Sequence, residues 1–293
     1  METDRRKPKH RSKKTTFNPI SFQPTPAARI RTFTHLTQLK SKWASTKMEL
    51  SQCTKFGPRQ IRVESAMLRS FNSGTRVAPY DSLMVADIGD VNVNLYDLKD
   101  TCTRIREFYR RVLSAGCIPL TMGGDHTIAY PILQAVAEKH SPVGLVHVDA
   151  HADTSDVVLG ERIGHGTPFR RCVEEGLLDC SRVVQIGLRG SGYSADSYAW
   201  SRAQGFRVVQ VEECWFKSLA PLMEEVRGQM GGGPVYLSFD IDALDPGFAP
   251  GTGTPEIAGL TPIQVDYCNY CLLLYYIGSY LTLLYILPLL LDL

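Results

Sequence analysis

The chain has 293 residues, of which 44% are hydrophobic and 21% are charged, and its formal net charge is +2. These values are typical of a soluble globular protein with one large α/β domain or two smaller ones, and they exclude a chain that is disordered throughout. The small net charge does not by itself point to a nucleic-acid partner. The eight cysteines are scattered along the chain, as is typical of reduced thiols in a cytosolic or matrix protein.

Residues 1–55 form a basic arm. No acidic residue lies between Asp4 and Glu49, whereas Arg and Lys are frequent there, above all in residues 5–14. Three interpretations are open: a disordered solvated arm, a mitochondrial transit segment, or a nuclear or nucleic-acid-binding patch. No apolar segment of the secretory type follows. We expect a mitochondrial protein, with a cytoplasmic one as the alternative, and we do not expect a nucleic-acid partner.

The rest of the chain alternates apolar strand-like runs with segments of helical periodicity. Strands rich in Val, Ile and Leu are buried on both faces, so the pattern predicts an α/β fold with a mostly parallel sheet between two layers of helices. In such a fold, ligands bind outside the carboxyl ends of the strands. The predicted strands are 82–91, 117–122, 144–148, 182–188, 206–211 and 234–239, and the predicted helices are 95–115, 127–140, 166–175, 195–204 and 215–230.

Polar clusters follow three of these strands. The strand 144–148 leads into Asp149, His151 and Asp153, which alternate and therefore share one face of an extended segment. Unpaired carboxylates on one face repel each other, and a cation would turn this repulsion into attraction. The other clusters are Asp125 with His126, after strand 117–122, and Asp240 with Asp242 and Asp245, after strand 234–239.

The combined set indicates a metal centre with two ions. It contains more ligands than one tetrahedral zinc needs and no thiolate, so two hard divalent ions are expected, with Mn²⁺ as the leading candidate. Two such ions about 3.5–4 Å apart can share one water and lower its pKa. The Asp240–Asp242 run alone could equally supply turn or helix-capping aspartates. The predicted ligands are His126, Asp149, His151, Asp153, Asp240 and Asp242.

Two further histidines lie near this set. His165 lies between Gly164 and Gly166, just past residues 149–156, which we call the metal loop. There it could pass a proton to a leaving amine, although a structural turn histidine is an equal alternative. His147 shares a face with Asp149 but lies deeper in the strand. We interpret it as a hydrogen-bonded core residue rather than a ligand.

These motifs resemble those of a known enzyme family. The segments 123–126 (Gly-Gly-Asp-His), 149–153 (Asp-Ala-His-Ala-Asp) and 238–246 (Ser-Phe-Asp-Ile-Asp-Ala-Leu-Asp-Pro) are similar to the signature motifs of the ureohydrolases, which include arginase, agmatinase and guanidino-acid hydrolases. The segment 251–261, and much of 56–261, resembles the vertebrate mitochondrial agmatinase-like branch. The resemblance implies a three-layer α/β/α fold, a homo-oligomer, and manganese-dependent hydrolysis of a guanidino group to urea and an amine.

The resemblance also implies a role for each matching residue. His126 and Asp153 would hold one ion and His151 and Asp242 the other, while Asp149 and Asp240 would bridge both. Asp153 would also orient the attacking water, and His165 matches the proton-shuttle histidine of the family. Asp153 and His165 are therefore the expected catalytic residues.

The chain departs from the family pattern at both ends. Residues 17–55 contain no obvious counterpart of the first strand of the family, and residues 267–291 are uncharged and almost wholly apolar. No acidic residue lies between Asp266 and Asp292. The chain therefore offers no candidate for the carboxylate that binds the guanidinium of the substrate in the family. An enzyme that binds metal but is catalytically impaired is therefore the alternative function.

The apolar tail is long enough to span a bilayer, at about 20 residues. Pro288, Gly278, Asn269 and the lack of flanking basic residues argue against a membrane span, so a replaced terminus is the preferred explanation and a membrane partner is not expected. We therefore expect a basic arm at 1–55, a catalytic domain at 56–265 that is incomplete at both ends, and an atypical tail at 266–293.

Overall fold

The computed structural model describes residues 57–71, 86–140, 142–192 and 196–265, the single residues 73, 76, 78 and 81, and the backbone of 33–35 and 280–284. Residues 1–14 of the basic arm and most of the apolar tail lie outside the described part. Among the described residues, no helix is long and apolar enough to cross a membrane.

In the described part of the chain, eight strands form one sheet, and every pair of neighbours is parallel. Their order is β2-β1-β3-β8-β7-β4-β5-β6. The carboxyl ends of all the strands therefore lie along one edge, where a site can form. The strands are β1 (Phe33–His35), β2 (Asp87–Asp90), β3 (Leu120–Gly123), β4 (Val143–Val148), β5 (Leu178–Leu188), β6 (Arg207–Gln210), β7 (Val235–Asp240) and β8 (Tyr280–Leu284).

Helices connect most of these strands, as parallel pairs require. The longest one, α2, begins after Asp97, whose side chain accepts hydrogen bonds from the backbone N–H groups of Lys99 and Asp100. Its apolar face buries Ile105 and Tyr109. The helices are α1 (Gly57–Ser65), α2 (Leu98–Ser114), α3 (Ala129–His140), α4 (Pro168–Glu174), α5 (Ala199–Ala203) and α6 (Ala220–Met230).

The hydrophobic core has two parts, one on each face of the sheet. On β4, Leu145 belongs to the part that contains α2 and α3, whereas its neighbour Val146 belongs to the part that contains α6. Successive residues of a strand point to opposite faces, so this alternation marks helical layers on both sides. Every residue of β4 and β7 is buried. The predicted three-layer α/β/α arrangement with a parallel sheet is thus confirmed.

The structure differs from the sequence-based expectation toward both ends of the chain. The sequence predicts no strand within residues 17–55 and none in the apolar tail, but β1 pairs with β2 and β3, and β8 lies between β3 and β7. Both segments are short, and their strand conformation depends on the partners they pair with, which local sequence does not reveal. β1 and β8 therefore occupy the two positions in the sheet where the sequence predicts no strand.

Several predicted helices begin later than expected, and the largest shift is that of α6. The pattern predicts a helix from residue 215, whereas α6 begins at Ala220. Phe216 has a φ of 55°, which lies in the left-handed region and cannot continue a right-handed helix. The apolar residues at 215 and 216 therefore belong to a turn.

Candidate metal centre

Three polar segments converge at the carboxyl edge of the sheet. His126 lies on a short 3-10 turn directly after β3, and Asp125 caps this turn by accepting a hydrogen bond from the backbone N–H of Thr127, at 2.9 Å. The loop with Asp149 follows β4, and Asp240 ends β7. Since β4 and β7 are paired and β8 alone separates β7 from β3, the three segments meet.

A first group of ligand atoms forms around the imidazole of His126. Its Nδ1 lies 2.7 Å from Asp153 Oδ2, 3.2 Å from Asp149 Oδ2 and 3.7 Å from Asp240 Oδ2. Although these contacts are close, none has the geometry of a hydrogen bond, and this buried Nδ1 has no hydrogen-bond partner in the described part of the chain. Buried polar atoms rarely lack a partner. A ring nitrogen that faces several carboxylate oxygens in this way fits a cation-binding site.

A hydrogen bond on the other side of the ring fixes its orientation. His126 Nε2 lies 2.8 Å from the hydroxyl of Ser238 on β7, and both residues are buried. If Nε2 carries the proton and donates it to the hydroxyl, Nδ1 retains its lone pair. A metal-ligating histidine commonly donates its second ring N–H in this manner.

A second group forms around His151 and shares Asp149 with the first. Nδ1 of His151 lies 3.1 Å from Asp242 Oδ2 and 3.5 Å from Asp149 Oδ1. Asp149 thus directs Oδ2 to the first group and Oδ1 to the second. Asp240 lies beside the first group, and its Oδ1 accepts a hydrogen bond from the backbone N–H of Asp242 at 3.0 Å.

The structure thus brings all six residues predicted as metal ligands to one edge of the sheet. His126, Asp149 and Asp153 have ligand atoms within 4.8 Å of one another, as do Asp149, His151 and Asp242. Asp153 has a φ of 51°, an uncommon conformation for a residue other than glycine, and such conformations cluster at functional sites. The side chains therefore offer two adjacent positions for a cation.

The electrostatics of the site reflect buried like charges. Burial, together with the carboxylates of Asp242 and Asp149, raises the pKa of Asp240 well above its usual value. Burial and Asp149 also raise the pKa of Asp242, to about 6, although the hydrogen bond with His151 opposes this. A divalent cation would stabilise the ionised forms of these carboxyl groups. The donor set therefore fits hard metal ions.

The loop 251–260 contributes contacts that the sequence motifs did not reveal. Thr254 Oγ1 donates a hydrogen bond of 3.0 Å to Asp242 Oδ2, on the side of the second group. Glu256 Oε1 lies 3.8 Å from His151 Nε2, so a carboxylate stands beside the outer nitrogen of that ring. Only the three-dimensional course of the loop brings these side chains to the site, since they lie beyond the motif of Asp240 and Asp242.

His165 is not a member of either ligand group. It is exposed on the turn before α4, and this turn is attached to the metal loop by two backbone hydrogen bonds. The N–H of Ser155 donates to Gly166 O at 3.0 Å, and the N–H of Phe169 donates to Asp153 O at 3.2 Å. His165 therefore lies on a segment anchored beside Asp153, and its proton-shuttle role stays a prediction.

The comparisons with known proteins agree with this geometry. The chain is 72% identical over 210 residues to a Gallus gallus protein named agmatinase, mitochondrial, and 69% identical over 210 residues to a Homo sapiens protein named guanidino acid hydrolase, mitochondrial. These matches cover 72% of this chain but only 62% and 60% of the two relatives. The chain thus spans about six tenths of the length of each relative.

A solved structure supports the same assignment. Proclavaminate amidino hydrolase from Streptomyces clavuligerus superimposes with a TM-score of 0.78 at 32% sequence identity, covering 91% of this chain and 86% of that one. The sequence profile of the arginase family matches residues 44–273. The resemblance noted in the sequence is therefore confirmed, and the chain belongs to the arginase family.

Proposed function

We propose that this protein is a manganese-dependent amidinohydrolase that cleaves a guanidino compound, agmatine or a guanidino acid, to urea and an amine. The observation that carries the proposal is the pair of ligand groups that share Asp149, at an edge where the fold places ligands. The names of the relatives supply the substrate class, because two of them are called agmatinase and guanidino acid hydrolase.

The donor atoms support two Mn²⁺ ions. Each group combines imidazole and carboxylate donors, and neither contains a thiolate, which is a donor set suited to manganese. Two such ions would lower the pKa of a shared water so that it can act as a nucleophile near neutral pH. The residues that would hold them are His126, Asp149, His151, Asp153, Asp240 and Asp242.

The protein side chains perform distinct tasks in this proposal. Asp149 directs one oxygen to each group, as a bridging carboxylate must. Asp240 would be the second bridge; its Oδ2 lies 3.7 Å from His126 Nδ1, and its Oδ1 accepts a hydrogen bond from the backbone N–H of Asp242. Asp153 would orient the water that attacks the guanidinium carbon, and His165 would deliver a proton to the leaving amine.

Manganese-loaded protein should release urea from agmatine or from a guanidino acid such as 4-guanidinobutyrate. Asp242→Asn removes a charged ligand from the second group, so we expect it to lower the rate at least about a hundredfold, by analogy with other residues that stabilise charge at an active site. The matched control is Asp196→Asn, because Asp196 is an exposed partner of Arg202. Urea release that is unchanged in Asp242→Asn, or absent for every guanidino compound with manganese bound, would contradict the proposal.

A second candidate function is metal binding with impaired hydrolysis. Strand β8 lies directly beside β7, and its register places Leu284 next to Asp240. The five residues of this strand, Tyr-Leu-Thr-Leu-Leu, contain no carboxylate that could grip a guanidinium. To discriminate, urea release is compared between this chain and a version whose residues 266–293 are replaced by the corresponding segment of the Gallus gallus relative. Turnover that appears only after replacement would support the second candidate.

We also propose that the protein acts in mitochondria as a homo-oligomer. The names of the Gallus gallus and Homo sapiens relatives include the word mitochondrial, and the basic arm has the composition of a transit segment. Fluorescence imaging of the full chain with a C-terminal tag tests the location, with a chain lacking residues 1–55 as the comparison. Sedimentation analysis tests the oligomeric state.

A further inference from the structure

A third histidine lies at the metal centre without belonging to the predicted ligands. His147 is fully buried on β4, two residues before Asp149, and its ring packs at a centroid distance of 4.5 Å from Phe169 and 5.2 Å from His126. One of its nitrogens lies within ligand distance of the first group. Either His147 binds an ion itself or it acts on a residue that does.

The hydrogen bonds around Gln185 decide between these roles. Gln185, fully buried on β5, has its Nε2 2.8 Å from the carbonyl oxygen of Ala152, and only an N–H can bond to that oxygen. The orientation of the amide is therefore fixed. The same Nε2 lies 3.1 Å from His147 Nδ1, so its second N–H is donated to the ring.

The tautomer of His147 follows from this contact. Because Nδ1 accepts a hydrogen bond, the ring proton is on Nε2, which lies 2.7 Å from Asp149 Oδ2. His147 therefore donates to the carboxylate that both ligand groups share. Neither ring nitrogen retains a lone pair for an ion, which argues against His147 as a ligand.

The arrangement also leaves one polar atom unsatisfied. Gln185 Oε1 is buried and has no hydrogen-bond partner in the described part of the chain. A buried acceptor without a donor lowers the stability of the folded protein. Its presence here indicates that the two hydrogen bonds of Nε2 matter more to the protein than a partner for Oε1. A Leu or Met at this position would avoid the cost but could not orient the ring.

We propose that Gln185 and His147 form a positioning relay that fixes the tautomer of His147 and thereby holds Asp149 in place to bind metal. The relay runs from the backbone of the metal loop at Ala152, through two fully buried side chains, to the shared carboxylate. This inference rests on the proposed metal centre, but it adds two positioning residues that touch neither substrate nor ion.

Metal affinity is the first readout. The relay predicts that His147→Leu lowers the affinity for Mn²⁺, measured by electron paramagnetic resonance of the free ion, by about 10- to 100-fold. His147→Gln can place an amide N–H near the position of Nε2, so it should retain most of the affinity. His140→Leu, at the end of α3, is the matched control and should bind Mn²⁺ like the parent chain.

The tautomer is the second readout, and it needs neither metal nor substrate. In ¹⁵N-labelled full-length protein, long-range ¹H–¹⁵N correlations should show the His147 proton on Nε2. Gln185→Met removes the donor to Nδ1, so the ring should lose this single tautomer and Mn²⁺ affinity should fall by about 10-fold. Thermal unfolding of each metal-free variant identifies any that fails to fold.

Three results would overturn the relay. One is a His147→Leu variant that folds and binds Mn²⁺ as tightly as the parent chain. Another is a His147→Leu variant that binds only one Mn²⁺ ion even at saturating concentrations of the metal, which would make His147 a ligand. The third is a parent chain with the proton on Nδ1. If the chain releases no urea while these variants behave as expected, the proposed function fails and the relay stands.

Discussion

The imidazole Nε2 of His126 and the hydroxyl of Ser238 form a hydrogen bond of 2.8 Å between residues that are 112 positions apart in the chain. It connects the turn after β3 to the strand β7, so it fixes His126, a predicted ligand, against the strand that carries Asp240. Both residues are buried, and solvent cannot replace the hydroxyl if it is removed.

Ser238→Ala should therefore weaken metal binding without changing any ligand. The variant leaves the Nε2–H of His126 buried and unpaired, which should cost about 1–3 kcal/mol of stability. We expect the affinity for Mn²⁺ to fall by about 10- to 100-fold, because the ring loses the partner that orients it. Isothermal titration with Mn²⁺ measures the change.

Ser114→Ala is the matched control, since Ser114 is an exposed serine that donates to the carbonyl of Arg111, at 2.8 Å. It should leave both stability and metal affinity nearly unchanged. Equal Mn²⁺ affinities for the two variants would show that the Ser238 hydroxyl does not support the ligand.

The sequence was sufficient to predict which candidate ligands lie together at this edge, but not the side chains that contact them. Alternation after a buried strand places Asp149, His151 and Asp153 on one face, and the strand-end rule brings the other clusters to the same edge. Ser238 and Gln185 carry no such pattern. Their roles depend on which strands are neighbours, and this topology is not encoded in any local window.

The same limit explains β1 and β8, the two strands that lie toward the ends of the chain. β4 and β7 are long and apolar, so their burial can be read from composition alone. β1 has only three residues, and β8 lies in a run whose apolar character extends far beyond the strand. Pairing partners, rather than local pattern, determine where such strands begin and end.

Arg189 is expected to contribute strongly to stability. Its buried guanidinium donates to the carbonyl oxygens of Asp242 at 2.7 Å, Leu244 at 3.1 Å and Glu256 at 2.6 Å, and burial lowers its pKa. Arg189→Met leaves these carbonyls without a donor, so the free energy of unfolding should fall by about 2–4 kcal/mol. Urea denaturation of the metal-free protein and of the metal-free variant measures this difference in the free energy of unfolding.

Arg202→Met provides the comparison for Arg189. Arg202 is a partly exposed arginine that pairs with Asp196 at 2.8 Å. Because exposed ion pairs contribute little, we expect a loss below about 1 kcal/mol. Similar losses for the two arginines would refute a special role for the buried guanidinium.

Alanine substitutions at Gly190 and Gly116 distinguish the effect of backbone strain from the effect of a lost contact at the site. Both have positive φ, 86° and 70°, so alanine at either position should cost about 1–2 kcal/mol. A Cβ at Gly190 would also overlap the carboxylate of Glu256, whereas a Cβ at Gly116 meets nothing within 4 Å. The flexible Glu256 side chain can move away, but it would then leave its place beside His151.

Gly190→Ala should thus resemble Gly116→Ala in stability but differ in function. We expect kcat/KM for urea release to fall several-fold in Gly190→Ala alone, because Glu256 is displaced from the outer nitrogen of His151. Chemical denaturation and urea assays of both variants provide the test. A parallel loss of activity in Gly116→Ala would trace the effect to general strain.

The pH dependence of Glu138 offers a test away from the metal centre. Glu138 on α3 accepts hydrogen bonds from two arginines of α2, Arg110 at 2.8 Å and Arg106 at 2.6 Å. The hydrogen bond from Arg110, supported by Arg106 and opposed by partial desolvation, lowers the pKa of this carboxyl from 4.5 to about 2. A lowered pKa means that the ionised form is favoured in the folded state, so the stabilisation exists above the pKa of the unfolded chain.

The difference in the free energy of unfolding between the parent chain and Glu138→Gln should therefore be constant from about pH 7 to pH 5 and shrink as the pH falls toward 2. Its size should stay below about 1 kcal/mol, because a third of the side chain is exposed and solvent screens the pair. Guanidinium denaturation of metal-free protein at a series of pH values provides the measurement. Exposed Glu161→Gln serves as the control for the loss of one charge, and a Glu138→Gln difference that grows toward low pH would contradict the lowered pKa.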